Sequence, residues 1–364
     1  MKTLARVLIG ALLVPVALFL GVRFNARWQD KFEHFYERVT LQQIADRVTA
    51  GAPDRQTAVI RLMEYARDRV ALPPANRPIG DVKPLEILAA GRGFCDQRAN
   101  VFIHLARTLP VDSRLVFLRD DKGRSPHSIA QVYLEGEWRI VDPVLGVPFL
   151  NRQGKLATFR DLAEEPALLT DARAIQPQKQ FGVEQNFVEV AKLYKQDPTI
   201  FNSWKGKRKI GLDHCPGPIR RWFVCRVQDL YFQMPISRQD VAREEQRLNR
   251  ARQYALLFRV KEAERLYRIL MEKGETPAIQ QDARYFTGCL YESQGRAEEA
   301  LRWFGLALSC DSAVAGWAPV IHALMGPLYE SLGHPAEALE CYERSGLAPA
   351  NPRVAERILL LQQK

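Results

Sequence analysis

Cysteine is scarce in this chain: six cysteines are spread over 364 residues, and no two of them form a CxxC pair. So few cysteines exclude a disulfide scaffold, and their positions do not have the spacing of a structural zinc site. The sequence also lacks a GxGxxG turn, a P-loop and an HExxH segment, so it carries no signature of dinucleotide, nucleotide or zinc chemistry. We therefore expect no metal and no cofactor.

Neither sign of charge dominates strongly. Lys and Arg number 52 against 42 Asp and Glu, and the resulting net charge of +10 is compatible with several anionic partners but diagnostic of none. With 47% hydrophobic and 26% charged residues, the composition excludes a mostly disordered, collagen-like or polytopic membrane chain. The length suggests two or three domains.

Basic residues cluster in an extension, residues 151–240, that is otherwise hard to organise. The cluster is either a contact for an anionic surface or a solvated loop, and since no aromatic-and-basic groove accompanies it, we expect no nucleic-acid binding. Its members are Lys205, Lys207, Arg208, Lys209, Arg220, Arg221 and Arg226. Cys215 and Cys225 lie in the same extension and either close a small disulfide loop or remain two buried thiols.

One long apolar run lies near the N-terminus, at residues 7–22, between Arg6 and Arg23. A bilayer core requires roughly 17–25 apolar residues as a helix, so the run predicts a short span or the apolar part of a signal peptide. Because no A-x-A-like cleavage site follows, an uncleaved signal-anchor at residues 1–27 is favoured over a cleaved signal peptide or a buried helix. We predict a single-pass membrane protein whose body lies outside the cytoplasm, in the periplasm or at the cell surface. Basic residues on both sides of the run leave the orientation open.

Two stretches have helical patterns. In residues 28–82, a helical lead-in, apolar residues recur at three- and four-residue steps until a proline-rich loop at residues 72–78. In residues 241–364, the segment LYESQG at residues 290–295 returns as LYESLG at residues 328–333, each followed by an Ala- and Glu-rich helix. Such paired helices resemble tetratricopeptide repeats, in which stacked neighbours bury a shared core. The resemblance implies a docking surface for a protein partner or for the substrate.

The residues that could carry chemistry lie between positions 91 and 143. The segment GRGFCDQRA at residues 91–99 combines a glycine-rich turn with the start of a helical pattern, which places Cys95 at or near a helix N-terminus. Backbone N–H groups and the positive end of the helix dipole favour a thiolate there, and the N–H groups could donate to an oxyanion beside the sulfur. Cys95 is therefore a candidate nucleophile, and the alternative is a small residue packed under the turn.

A strand pattern at residues 115–118 and a β-hairpin follow this helix. The hairpin strands are residues 127–134 and 138–142, with a two-residue turn between them. In this register His127 and Asp142 are diagonal neighbours whose Cβ atoms are about 7–8 Å apart, within reach of a hydrogen bond between imidazole and carboxylate. A shifted turn would put them on opposite faces, so the hairpin permits the His–Asp pair and does not force it.

The segments GRGFCDQRANVFIHLARTL and PHSIAQVYLEGEWRIVDP together resemble the transglutaminase-like superfamily of papain-type folds. The family pattern is a G-x-C at a helix start, a His that opens a strand, and a W-x-x-x-D-P that closes the next. The resemblance implies an α+β core at residues 83–150, in which the helix that bears the cysteine packs on an antiparallel sheet. It also implies that Cys95 is the nucleophile, His127 the base and Asp142 the orienting acid. The backbone N–H of Cys95 and the side chain of Gln97 are the oxyanion candidates.

The sequence leaves two functions open. The first is a membrane-tethered cysteine peptidase, amidase or transglutaminase that acts through a thioester on a protein or peptide substrate, with the repeats docking substrate or partner. The second is a non-catalytic scaffold of the cell envelope that uses the papain-like module and the repeats for binding. The presence of all three residue types favours the enzyme. The predicted fold is an α+β core with an all-α repeat domain and an N-terminal membrane helix.

Overall fold

A computed structural model of the chain describes residues 26–70, 83–120, 122–146, 148–170, 178–180, 183–185, 194, 199–204, 226–227, 243–257, 259–274, 276–310, 317–346 and 352–363. Several features predicted from the sequence lie outside these residues. They are the apolar run at residues 7–22, the proline-rich loop at residues 72–78, the pair Cys215 and Cys225, and the basic cluster except Arg226.

The described part of the chain begins with helices. They are α1 (Ala26–Val48), α2 (Arg55–Arg69), α3 (Pro84–Ala90) and α4 (Cys95–Ala106). The periodic apolar positions of α2 are buried, among them Leu62 and Met63. The carboxylate of Asp54 caps this helix by accepting the backbone N–H of Thr57 at 2.7 Å.

Among the described residues, an antiparallel sheet has the strand order β3-β2-β1-β6. The strands of the chain are β1 (Ser113–Leu118), β2 (His127–Leu134), β3 (Glu137–Val141), β4 (Gln178–Gln180), β5 (Val183–Gln185) and β6 (Thr199–Trp204), of which β4 and β5 form a separate ribbon. Two short helices, α5 (Phe159–Glu164) and α6 (Ala167–Thr170), follow β3. An antiparallel sheet combined with many helices fits the predicted α+β layout.

The β2–β3 hairpin has the register that the sequence predicts. Tyr133 pairs with Trp138, and Ala130 pairs with Val141. The two turn residues 135–136 have φ angles of 52° and 87°, and a turn with both residues in the left-handed region matches the twist of the flanking strands. The sheet therefore continues in register up to the residues that directly follow β3.

Both faces of this sheet are buried. The face that packs on α4 includes Leu115, Ala130, Val132, Leu134 and Val141. On the opposite face, a second apolar cluster joins strand residues to the segment after β3, and it includes Val116, Leu118, Ile129, Ile140, Phe149, Ala157, Leu162 and Tyr194. Burial on both sides explains the unbroken apolar run at residues 115–118 in β1.

The C-terminal part is helical. Its described helices are α7 (Arg243–Leu256), α8 (Val260–Lys273), α9 (Pro277–Glu292), α10 (Ala297–Leu308), α11 (Ala318–Ser331), α12 (Pro335–Ser345) and α13 (Pro352–Gln362). Successive helices pack against each other, with short turns between α9 and α10 and between α11 and α12. The assignment of these pairs to the tetratricopeptide family stays a prediction.

The sequence repeat has a counterpart in the packing. Gly288 of α9 lies against the ring of Phe304, and Gly326 of α11 lies in the same way against the ring of Tyr342. Both members of the second pair come 38 positions after those of the first. A Cβ atom at either glycine would lie 2.4–2.5 Å from the facing ring, so the two helix pairs depend on the same close approach.

The helices of the C-terminal part pack directly on the N-terminal part. The hydroxyl of Tyr36 donates to Oε1 of Gln253 at 2.8 Å. The ring of Phe286 lies against Gly91, where a Cβ atom would come within 3.3 Å of it, and the guanidinium of Arg252 stacks on the same ring at 4.0 Å from the centroid. The turn before α4 is therefore covered by α9.

The prediction of a single-pass membrane protein is wrong. In the residues that the structure describes, no helix combines the length and the apolar character needed to cross a bilayer. The longest of them, α1, has 23 residues but includes Glu33, Glu37 and Arg38, and charged side chains are costly to transfer into hydrocarbon. The apolar run on which the prediction depends lies outside the described residues.

The packing of the helix pairs can be tested with two glycine-to-alanine substitutions that are expected to change the free energy of unfolding in opposite directions. Gly288→Ala is expected to lower the free energy of unfolding by about 1–3 kcal/mol, because the added methyl group overlaps the Phe304 ring. Gly305→Ala, on the exposed side of α10 with no atom within 4 Å of the new Cβ, is expected to raise it by about 0.5–1 kcal/mol. Urea unfolding of both variants measures the difference, and equal signs would contradict the packing.

Candidate active site

Cys95 is the first residue of α4, as the sequence predicts, and Phe94 is the N-cap. Each of the two glycines before it is favoured at its position for a different structural reason. Gly91 has a φ angle of 65° and ends α3 by donating its N–H to the carbonyl of Ile87 at 2.9 Å. Gly93 lies in a tight space, since a Cβ atom there would lie 3.1 Å from side-chain atoms of Ile87, Val70 and Gln97. The GRG turn thus places Cys95 at the start of the helix.

Gln97 has a structural role at the same helix start. Its Oε1 accepts the backbone N–H of Phe94 at 3.0 Å, which is the reciprocal half of a capping box. Because an oxyanion requires a hydrogen-bond donor, only the NH₂ group of this carboxamide could serve one. The oxyanion roles of Gln97 and of the Cys95 backbone N–H stay predictions.

The structure brings His127 and Asp142 together. Nε2 of His127 and Oδ2 of Asp142 are 2.8 Å apart. Both side chains are buried, with 2% and 0% of their surface exposed. Asp142 directly follows β3 and His127 is the first residue of β2, so the hairpin register positions both groups at one end of the sheet.

Asp142 is held by further donors. Its Oδ1 accepts the backbone N–H groups of Val144 at 2.8 Å and Leu145 at 3.1 Å. Its Oδ2 also accepts the hydroxyl of Tyr194 at 2.6 Å. These donors and His127 lower the pKa of Asp142, although burial alone would raise it. The carboxylate therefore remains ionised inside the protein.

Tyr194 is the site residue that sequence reasoning missed. It lies 52 positions after Asp142, in the extension whose organisation the sequence does not reveal. Its ring packs against Phe149 at 5.7 Å and Phe159 at 6.3 Å between centroids. Nothing in the local pattern identifies a tyrosine that reaches back to a carboxylate, so no sequence signal points to it.

The Cys95 thiol lies beside this pair and is only partly buried. Burial tends to raise its pKa, but interaction with His127 and a hydrogen bond from the backbone of Ser128 outweigh burial and lower it. The neighbouring Asp96 opposes this effect. The thiol therefore ionises more readily than an ordinary cysteine.

The imidazole of His127 favours its protonated form. Burial by itself would lower its pKa, but the Asp142 carboxylate and the Cys95 sulfur raise it to about 10. Nε2 is taken by Asp142, and the buried Nδ1 has no oxygen or nitrogen partner in the described part of the chain. Nδ1 is thus the ring atom left for the thiol, and the arrangement can hold a thiolate next to an imidazolium.

Fold and site together define an α+β domain with a cysteine at a helix N-terminus and a buried His–Asp pair at the end of the sheet. The core model of the transglutaminase-like superfamily matches residues 42–143, so this part of the chain is a transglutaminase-like domain. The match begins within α1, in the stretch predicted as a helical lead-in, and it ends one residue after Asp142. Comparison with curated proteins and with solved structures gave no match.

No metal centre is found among the described residues, since no three His, Cys, Asp or Glu side chains there lie close enough to hold an ion. The groups that gather at Cys95 are instead an acid–base pair and backbone donors. They fit proton transfer to and from sulfur.

Tyr194→Phe tests how the carboxylate is held. The variant keeps the ring but removes the donor to Asp142, so the free energy of unfolding is expected to fall by about 1.5–3 kcal/mol at neutral pH. Because the folded-state pKa of Asp142 is lowered, this contribution is present above the pKa of an unfolded Asp, near 3.9, and is lost as the pH falls through the folded-state value.

The matched control is Tyr36→Phe, which removes an equally buried hydroxyl that donates to the neutral amide of Gln253. Its expected loss is smaller, about 0.5–1.5 kcal/mol, and without the acid dependence. Chemical denaturation of both variants between about pH 2 and pH 8, which includes the window below the pKa of an unfolded Asp, measures the comparison. Equal losses in the two variants would show that the charge of Asp142 does not contribute.

Proposed function

We propose that this protein is a cysteine-dependent acyl-transfer enzyme that acts on a peptide or amide substrate through a thioester on Cys95. The observation that carries the proposal is the buried hydrogen bond of 2.8 Å between His127 and Asp142 beside a partly exposed thiol at a helix N-terminus. The transglutaminase-like domain at residues 42–143 supports the same class of chemistry.

Acylation begins from the thiolate–imidazolium pair. The sulfur of Cys95 attacks the substrate carbonyl carbon, and the carbonyl π electrons move to oxygen to form an oxyanion. When this intermediate collapses, the bond between carbon and nitrogen breaks, and the leaving amine takes the proton from the imidazolium of His127. The products are a free amine, a thioester and a neutral imidazole hydrogen-bonded to Asp142.

Deacylation returns the site to its starting state. A water molecule or an acceptor amine attacks the thioester carbonyl while His127 takes its proton, and the sulfur leaves as a thiolate. Water yields a carboxylic acid, as in a peptidase or amidase, and an amine yields a new amide, as in a transglutaminase. Asp142 keeps the imidazole oriented and stabilises its protonated form throughout.

Substrate approaches from the side of Phe94. This N-cap residue is 48% exposed, which is unusual for a large apolar side chain, and it directly precedes Cys95. The Cys95 backbone N–H is at the first helical position, where helix geometry supplies no intrahelical acceptor, so we assign it to the oxyanion. An apolar group of the substrate would contact the Phe94 ring while the reacting carbonyl lies over the helix start.

We assign the C-terminal helices to docking of the protein substrate or of a protein partner. The support is their position: α9 packs on the turn that precedes α4, so a chain bound along these helices would enter the site from a neighbouring surface. The non-catalytic scaffold is the alternative, and the experiments below separate the two.

The first experiment measures the ionisation of Cys95. Alkylation by iodoacetamide, followed on the Cys95 peptide by mass spectrometry, is expected to titrate below the pKa of a free thiol, about 8.5. His127→Ala is expected to move the titration to 8.5 or above, because burial of the thiol is then no longer offset. His104→Ala, nine positions further along the same helix, is the matched control and is expected to leave the titration unchanged. A wild-type titration near 8.5 would support the scaffold.

The second experiment looks for the covalent intermediate. A thiol-directed acyl probe is expected to add one acyl group to the wild-type protein and none to Cys95→Ser, since serine is far less acidic than cysteine and the site provides no stronger base than His127. His127→Ala is expected to reduce labelling at neutral pH at least tenfold. Labelling that persists in Cys95→Ser would place the reactive thiol elsewhere.

A further inference from the structure

Arg98 lies one turn after Cys95 on α4, and its side chain is only 4% exposed. A fully buried arginine is rare unless its charge is balanced. Its Nε has no hydrogen-bond partner among the residues that the structure describes. Hydrogen bonding through Nε therefore does not explain why this cation is inside the protein.

The charges that face Arg98 explain its burial better. The groups of opposite charge that interact with it are Asp142 and Cys95 and, more weakly, Asp68, and the group of like charge is Arg67. Arg67 and Asp68 already balance each other, since Nε of Arg67 lies 2.6 Å from Oδ1 of Asp68. Asp142 and Cys95 thus remain as the counter-charges of Arg98.

A count of charges shows what this cation does for the site. In the ionised state, Cys95 and Asp142 contribute two negative charges and His127 one positive charge, which leaves the site with a net charge of −1. An unbalanced buried charge is strongly unfavourable in a low-dielectric interior. With the guanidinium of Arg98 the sum is zero. Burial lowers the pKa of Arg98 to about 10, so it still carries its charge at neutral pH.

We propose that Arg98 is a positioning residue of the site, the fourth charge that allows the sulfur of Cys95 and the carboxylate of Asp142 to be ionised together while His127 is protonated. The proposal rests on the proposed function, because it takes Cys95 as the nucleophile. Arg98 acts through Cys95 and Asp142 and does not contact the substrate. The other groups that act on the thiol are His127, Asp96 and the backbone of Ser128.

The test is the pH dependence of Cys95 alkylation by iodoacetamide, read from the Cys95 peptide. Arg98→Met is expected to raise the pH of half-ionisation by about one unit, which is the lower end of the effect of a nearby opposite charge. Alkylation at pH 6 then becomes about tenfold slower. Arg98→Lys, which keeps the charge, is expected to restore most of the shift.

The matched control is Arg107→Met, the same substitution at the end of the same helix. Twelve residues at 1.5 Å each place it about 18 Å from Cys95, and the alkylation profile is expected to match the wild type. If Arg98→Met and Arg107→Met have the same profile while both are folded by circular dichroism, Arg98 has only a packing role and the proposal is overturned.

A double variant covers the case in which Arg98→Met does not fold. Removing Arg98 and Asp142 together, as Arg98→Met with Asp142→Asn, keeps the buried charge balanced, so the double variant is expected to fold wherever Asp142→Asn alone folds. Its Cys95 is expected to ionise at a higher pH than in Asp142→Asn. A double variant that unfolds, or one with the same thiol titration as Asp142→Asn, overturns the proposal.

The two proposals fail in different ways. If the wild-type thiol titrates at the ordinary value of about 8.5, the proposed enzymatic function is wrong. If the wild-type thiol ionises at low pH and the Arg98 variants do not change it, the function stands and the role of Arg98 is rejected.

Discussion

The hydrogen bond between His127 and Asp142 is the interaction on which the site depends. It joins two buried groups that would be costly to bury alone. The imidazole lowers the pKa of the nearby thiol, and the carboxylate and the Cys95 sulfur raise the pKa of the imidazole to about 10. The rest of the domain holds the two groups in place. The hairpin turn sets their register, two backbone N–H groups and Tyr194 hold the carboxylate, and the glycine turn brings Cys95 to the end of the sheet.

Local chemistry made part of this arrangement predictable from the sequence. A two-residue turn between alternating strands determines which residues face each other, and a glycine-rich turn before an apolar periodicity marks a helix start, so the hairpin register and the position of Cys95 were confirmed. Tyr194 and Arg98 were not predicted. Tyr194 lies 52 positions after Asp142, the residue it contacts. Arg98 interacts most strongly with the same distant Asp142. Both relations depend on tertiary packing.

The predictions of a membrane span and of tetratricopeptide-like repeats had different outcomes. The apolar run near the N-terminus predicted a membrane protein, but no helix that the structure describes is both long enough and apolar enough to cross a bilayer. The repeat in the C-terminal part is visible as a recurring contact between a glycine and an aromatic ring, yet helix pairs of this kind say little about what they bind. Gln97, which the sequence suggests as an oxyanion candidate, also stabilises the start of α4 by accepting the backbone N–H of Phe94.

The position of Tyr194 and β6 outside the matched segment has a consequence for the autonomy of the domain. Residues 42–143 lack the neighbour that pairs with β1, the aromatic cluster that covers the second face of the sheet, and the helix that shields the turn before Cys95. Excised from the chain, this segment would expose an unpaired strand edge and a large apolar face, which are features that promote self-association. In this chain the residues that follow the matched segment therefore complete the sheet and cover the apolar surfaces of the transglutaminase-like domain.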